Sequence, residues 1–326
     1  MNISSSESSP EISSDADLIS SHQPELETLL PVTDATIQRV REGVAAASDR
    51  SIRHTIETTL NGLSAITQEH WEPRVNAKIR RWVVRSLIHS LFSVKVENIE
   101  NIPPTPAILA ANHLHHFDPL VLLSEIPTQP HYYILGDART LYNKWWKRWI
   151  LGFADGVIPL ERIWGEEQAV IAAAKAGRDD LQELAQVIKD TVNPGGDIQT
   201  IRRIDRIVAA ILARGDGLMI FPEGRLGTAE GHLHPFKRGT VIYALRSGVP
   251  IVPISLIGTH DLFLRKKLTI RVGKPLYFPP TTRPKRQEID SALEALQKAI
   301  GALLPTDYQE PTGIKLLQNF LNRMLL

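Results

Sequence analysis

The sequence predicts an α/β fold: a central mixed, partly parallel sheet flanked by helices, with an N-terminal helical hairpin. Three observations lead there. From about residue 96 onward, apolar runs of strand length recur at 107–111, 132–135, 156–160, 218–221, 251–256 and 268–272. Between most of them stand longer stretches of helical periodicity, at 118–126, 166–191, 200–214, 237–247 and 287–304. Strands alternating with helices are what crossover connections between parallel strands require. At 326 residues, with no internal repeat, the chain has length for one large domain or two small ones.

Taken in order, residues 1–30 are Ser-rich and acidic and lack hydrophobic periodicity, which predicts a disordered tail. Residues 31–70 read as a helical hairpin. Ile37, Val40 and Val44 fall at helical spacing, and Ser51 stands where it would cap a second helix carrying Ile56, Leu60 and Leu63. The stretch 73–95 mixes Arg74, Lys78, Arg80, Arg81 and Arg85 with Trp82, Val83, Leu87, Ile88, Leu91 and Phe92. Within the long helical stretch before residue 200, Asn193-Pro-Gly-Gly196 is a turn. Residues 311–326 read as an amphipathic C-terminal helix, with Leu317, Phe320, Leu321 and Met324 on one face.

Composition excludes several chemistries. The chain has no cysteine, which removes disulfides, thiolate nucleophiles, Cys-ligated zinc and enzyme-bound thioesters. No run of eighteen apolar residues is present, so no membrane-spanning helix is expected, and no basic n-region followed by an apolar h-region marks a secretory signal. A cytosolic address is the expectation. The formal net charge is +1, yet residues 1–30 hold six acidic and no basic side chains, so the remainder carries +7. That mildly basic body suits a phosphorylated substrate or an anionic membrane surface. It falls short of a nucleic-acid footprint, and no zinc-finger, RNP or basic-zipper pattern occurs.

The segment richest in chemistry is Asn112-His113-Leu-His-His-Phe-Asp118-Pro119. An apolar strand ends at His113 and a helix begins near Asp118, so the turn between them can fold the two side chains together. The carboxylate would then accept from one ring nitrogen, fix the tautomer, and leave the other nitrogen as a base for a hydroxyl. Asp118 before Pro119 is equally a well-formed N-cap and N1 pair. The segment by itself leaves both readings open.

Downstream, in order, come Gly156-Val-Ile-Pro-Leu-Glu-Arg162, Phe221-Pro-Glu-Gly-Arg225, Phe236-Lys-Arg-Gly239 and Val249-Pro-Ile-Val-Pro253. As a set over roughly residues 98–275, the His–Asp segment and the Arg162, Glu223 and Pro253 segments resemble the four ordered blocks of the glycerolipid acyltransferases. These are the 1-acylglycerol-3-phosphate acyltransferase family and its glycerol-3-phosphate acyltransferase relatives. The resemblance implies an acyltransferase domain over 71–310, with 163–215 as a helical insertion longer than the family pattern. It implies that His113 deprotonates the acceptor hydroxyl and that Asp118 orients it. The oxygen then attacks an acyl thioester directly, and the absence of cysteine and of a Gly-x-Ser-x-Gly elbow agrees with that.

Arg162, Glu223 and Gly224 are implied to bind the acceptor's glycerol-phosphate part, a guanidinium being suited to bidentate phosphate contacts. Pro250 and Pro253 match the fourth block, implied to shape the acyl-donor side. The third block departs from the usual Phe-Pro-Glu-Gly-Thr-Arg-Ser, because Arg225 directly follows Gly224 and Leu226 holds the Arg position. Either Arg225 swings into the phosphate pocket, or Lys237 and Arg238 compensate.

The implied activity is acyl transfer from acyl-CoA or acyl-carrier protein to a lysophospholipid acceptor, foremost 1-acyl-sn-glycerol-3-phosphate. Acylation of glycerol-3-phosphate or another lysolipid is the alternative, as is a lipid-binding protein that kept the scaffold without catalysis. No cofactor is implied. A metal is not expected at His113-Leu-His115, because Phe117 and Asp118 stand where a His-x-His-x-Asp-His motif needs Asp and His. His232 and His234 read as a solvated loop, and no phosphate-binding Gly-rich motif occurs. Three stretches that mix aromatic or Leu residues with basic ones, 77–93, 143–150 and 314–326, suit a bilayer's interfacial layer. They predict a peripheral protein on the cytosolic face of a membrane.

Overall fold

The computed structural model of the protein describes residues 30–66, 76–145, 147–148, 156–192 and 198–324. Nearly all of the acidic tail and the Asn193–Gly196 turn lie outside these residues. Seven strands form one sheet: β1 (Ser93–Glu97), β2 (Ile108–Ala111), β3 (Tyr132–Asp137), β4 (Val157–Leu160), β5 (Gly217–Ile220), β6 (Ile251–Ile257) and β7 (Lys267–Val272). Their order is β1-β7-β6-β2-β5-β3-β4. The five strands from β6 to β4 run parallel, while β7 pairs antiparallel with β6 and β1 lies parallel to β7. The sheet is therefore mixed and mostly parallel. Every residue of β2, β5 and β6 is buried, as a parallel sheet covered on both faces demands.

Helices α1 (Asp34–Ser48), α2 (Arg50–Ile66) and α3 (Ala77–Leu91) precede β1. Between strands lie α4 (Asp118–Glu125), α5 (Ala138–Tyr142), α6 (Gly165–Lys175), α7 (Gln182–Thr191), α8 (Ile198–Ala213) and α9 (Gly239–Ser247). After β7 come α10 (Arg286–Leu303) and α11 (Gln318–Met324). Alternate residues of β2 feed two cores, which places those cores on opposite faces of the sheet. Ile108 and Ala110 join α2, α8, α9 and α10, with Leu60, Ile207, Ile211 and Leu296 buried among them. Leu109 and Ala111 join α3 and α4, with Ile88, Phe92, Val121 and Leu122. Each buried Leu, Ile, Val or Phe among them contributes roughly 1.5–3 kcal/mol by leaving water.

A third cluster sits apart, where Val40 and Val44 of α1 meet Val170 and Ala174 of α6 and Ala185 and Ile188 of α7. The stretch 163–215 thus divides in space. Its α8 belongs to the main core, whereas α6 and α7 pack on the N-terminal α1.

Four local readings change. The second helix is capped by Asp49, whose carboxylate accepts from Ser51 N at 2.7 Å, so Ser51 lies inside the helix. The stretch 166–191 is two helices, separated by a 3₁₀ turn at Asp179–Leu181, because apolar periodicity runs on across the break. The C-terminal helix is shorter than expected. It begins at Gln318, after Leu317 at φ 58°, and it divides its apolar residues: Leu321 is buried while Leu317 and Phe320 are exposed. Finally, the basic stretch around residue 95 hides β1, an outermost strand whose alternating polar residues resemble a loop.

Where β2 ends, Asn112 replaces the ladder. Its buried side chain accepts from Leu256 N at 2.7 Å and donates to Leu256 O at 2.9 Å. Asn112→Ala leaves both backbone groups of Leu256 unpaired, and urea denaturation is expected to register a loss of about 2–4 kcal/mol. A loss below 0.5 kcal/mol would mean that the backbone finds other partners.

Candidate active site

Three of the four chemistry-bearing segments gather at the carboxyl ends of the parallel strands, where such sheets place their ligand crevice. His113 leaves β2, Phe221-Pro222-Glu223-Gly224 leaves the adjacent β5, Asp137 ends β3, and Arg162 follows β4. The neighbouring parallel strands β2 and β5 thus join segments more than a hundred residues apart.

The turn after β2 wraps round one oxygen. Asp118 Oδ2 accepts from His113 Nδ1 at 2.8 Å, from Leu114 N at 2.6 Å and from His115 N at 2.8 Å. Asp118 reaches backwards to its own turn, which decides between the two sequence readings in favour of the His–Asp pair. The aspartate is fully buried and His113 is 16% exposed. An ionised carboxylate accepts only, so Nδ1 carries the hydrogen and Nε2 the lone pair. Nε2 makes no hydrogen bond among the described residues. Phe221 stacks on the imidazole, with ring centroids 4.2 Å apart and planes 25° from parallel. An imidazole held this way can take a proton from a hydroxyl.

Glu223 ties the β5 loop to this turn. Its Oε1 accepts from His113 N at 3.1 Å and its Oε2 from His234 N at 2.8 Å. Burial raises its pKa. With 1% exposure, this carboxylate ties the loop after β5 to the turn after β2 through two backbone N–H groups.

Gly224 is where cations converge. Its φ of +64° suits glycine, and a Cβ there would lie 2.9 Å from Arg162 Nη1 and 3.3 Å from Lys237 Cγ. Arg225 turns elsewhere, its Nη2 standing 2.8 Å from His234 Nδ1, and Arg238 pairs with Asp290 at 3.0 Å.

Pro250 lies outside this gathering. Its carbonyl accepts from Ile108 N at the start of β2, about 13 Å along the strand from the site end. Pro253 stands beside Ala110 within the sheet. Both shape the strand backbone, and neither borders the His–Asp pair.

The neighbouring histidines are largely withdrawn from solvent. His115 is 7% exposed and its Nδ1 accepts from Phe117 N at 3.2 Å. Burial pushes the His116 pKa down to about 3. Among the described residues no group of three or more His, Asp or Glu side chains is placed to hold a metal ion.

Residues 93–257, from β1 to the end of β6, match the family model Acyltransferase over about half of the chain. The chain belongs to the acyltransferase family. His113, Asp118, Arg162, Glu223 and Gly224 all fall inside the acyltransferase match, whereas α1, α2, α3 and everything after β6 lie outside it.

Among curated proteins, this chain is similar to the 1-acyl-sn-glycerol-3-phosphate acyltransferase of Limnanthes alba. The two are 39% identical over 141 residues, which are 41% of this chain and 47% of that one. It is also similar to the enzyme of the same name from Cocos nucifera, 38% identical over 94 residues, 28% of this chain and 29% of that one. The chain therefore spans less than half the length of these relatives. The crystal structure of the LPA acyltransferase PlsC from Thermotoga maritima aligns over 85% of this chain and 89% of that chain, with 16% identity and a TM-score of 0.40. That likeness is too distant to carry a structural argument.

Proposed function

We propose that the protein transfers a fatty acyl group from acyl-CoA or acyl-carrier protein to a lysophospholipid, foremost 1-acyl-sn-glycerol-3-phosphate. The observation that carries this reading is the His113–Asp118 pair at 2.8 Å, beside Gly224, on which the side chains of Arg162 and Lys237 pack. The acceptor phosphate meets these two cations, so that its free hydroxyl lies toward His113 Nε2. Nε2 takes the hydroxyl proton as the oxygen attacks the thioester carbonyl carbon. The tetrahedral intermediate then collapses, the C–S bond breaks, and the imidazolium returns its proton to the departing thiolate. Asp118 stabilises the transient imidazolium. No bond to the protein forms, and the products are an ester and a free thiol.

A lysolipid resides in a bilayer, and two exposed surfaces support attachment there. Helix α3 presents Ile79, Trp82, Val83 and Leu87 to solvent, with Lys78, Arg81 and Arg85 beside them. Before and within α11, Ile314, Leu316, Leu317 and Phe320 are exposed next to Lys315. A tryptophan 69% exposed on a helix rich in arginine is suited to the interfacial layer. Of the 143–150 stretch, Trp145 is exposed and Lys147 buried, while Trp146, Trp149 and Ile150 lie outside the described residues. Among the described residues no helix is long and apolar enough to cross a membrane.

Trp82→Ser with Leu87→Ser is expected to weaken co-sedimentation with vesicles containing phosphatidic acid about tenfold or more. Equal binding by both proteins would move the contact elsewhere.

The activity is tested by offering radiolabelled acyl-CoA and acyl-carrier protein with lysophosphatidate, glycerol-3-phosphate and other lysolipids. Product on lysophosphatidate supports the reading. Product on another acceptor alone would keep the mechanism and change the head group, and no product from folded protein would favour a lipid-binding role.

A further inference from the structure

Arg162 is 40% exposed, and a long exposed side chain is costly to hold in one place. Here two residues the sequence does not connect with it meet its backbone and its guanidinium. Its carbonyl accepts from Arg139 Nη2 at 2.7 Å. Arg139, only 4% exposed, is itself gripped by Glu167 through two bonds of 2.6 and 3.0 Å. At the other end, Arg162 Nε lies 3.6 Å from Asp137 Oδ2. That same oxygen accepts from Trp164 Nε1 at 2.8 Å, while Oδ1 takes Thr140 N at 3.1 Å and Thr140 Oγ1 at 3.2 Å. The Asp137 carboxylate thus holds a fixed direction. With Nε facing it, Nη1 lies toward Gly224.

The Trp164 indole that orients Asp137 is clamped by the N-terminal helix. The Arg139 guanidinium lies over the ring at 4.2 Å and that of Arg39, from α1, at 5.2 Å. Arg39 is tied to Glu166 at 2.9 Å. Gly43 lets the α1 backbone touch the ring, since a Cβ there would come within 2.5 Å of Trp164 Cζ3. The small core that α1 shares with α6 and α7 holds α1 in this place. Gly43 and Arg39 stand outside the residues that match the acyltransferase family.

We infer that Asp137 and Trp164 are positioning residues for Arg162, and that helix α1 and the α6–α7 pair serve to clamp Trp164. This inference rests on the reading of Arg162 as an acceptor-phosphate ligand. Arg39 and Gly43 therefore set acceptor affinity from the N-terminal segment without touching the acceptor.

The test compares full-length Trp164→Phe, Gly43→Ala, Arg162→Ala and the Trp164→Phe/Arg162→Ala double variant in steady-state acyl transfer to lysophosphatidate. Phenylalanine keeps an aromatic ring and deletes the N–H. Alanine favours the helix while forcing the indole aside, so α1 itself is not weakened. Arg162→Ala is expected to raise acceptor KM about a hundredfold. Trp164→Phe and Gly43→Ala are each expected to raise it roughly three- to tenfold, with kcat and donor KM within about twofold of the parent. In the double variant the tryptophan effect should vanish, because the residue it positions is gone.

A Trp164→Phe effect that persists in full on the Arg162→Ala background would overturn the inference, as would equal losses in kcat and donor KM. An unchanged acceptor KM in Arg162→Ala would instead remove the phosphate reading, and this inference with it.

Discussion

His113→Ala protein is expected to fold as the parent does and to lose acyl transfer by about 10³-fold, within the range a positioned general base supplies. The imidazole is 16% exposed, and Nδ1 is the one ring nitrogen with a hydrogen bond among the described residues, so truncation leaves a small solvated gap. The backbone N–H groups of Leu114 and His115 keep Asp118 Oδ2 occupied, and the turn survives. The loss should fall on kcat with acceptor KM little changed, because Nε2 acts on the reacting hydroxyl and the phosphate is held elsewhere. Single-turnover transfer with matched thermal unfolding curves would check this. Residual activity within tenfold of the parent would exclude His113 as the base.

Asp118→Asn tests the orienting role, and it is expected to lower kcat about 10²-fold or more. In the parent, one fully buried oxygen receives three hydrogens. An amide that turns its NH₂ toward the turn meets three donors. The imidazole then shifts its hydrogen to Nε2 and ceases to be a base. An amide that turns its oxygen keeps the bonds but loses the charge that stabilises the imidazolium. Either way the turn is weakened, and folding stability should fall by about 1–3 kcal/mol. A variant with parental kcat, or one altered only in KM, would contradict the orienting role.

Much of the site was legible because its parts are short and local. His113 and Asp118 share one turn, so their spacing could suggest the pair, though not whether Asp118 caps its helix or holds the imidazole. That was decided by three donors converging on Oδ2. Glu223 shows the opposite case. Its place in a motif suggested a ligand contact, whereas its burial against two backbone N–H groups, which ties two loops together, carries no sequence signal. Asp137, Arg139 and Trp164 carry no local signal, because an Asp that ends a strand and a Trp that starts a helix have many ordinary uses.

What the sequence by itself determined was the succession of elements. Apolar runs of four to six residues, such as those ending at Ala111 and Phe221, announce strands buried on both faces, because covering helices leave no polar side. Helical periodicity located α4, α8, α9 and α10 within a residue or two for the same reason, each needing one apolar stripe toward the sheet. What only the tertiary structure decided was which ends meet. Strand order is a choice among crossovers that periodicity does not record, yet that order sets β5 beside β2 and brings Phe221 and Glu223 to His113. It also decided the use of α1: a stripe of valines shows that a helix buries a face, but not that the face closes on α6 and α7 and presses Gly43 against Trp164.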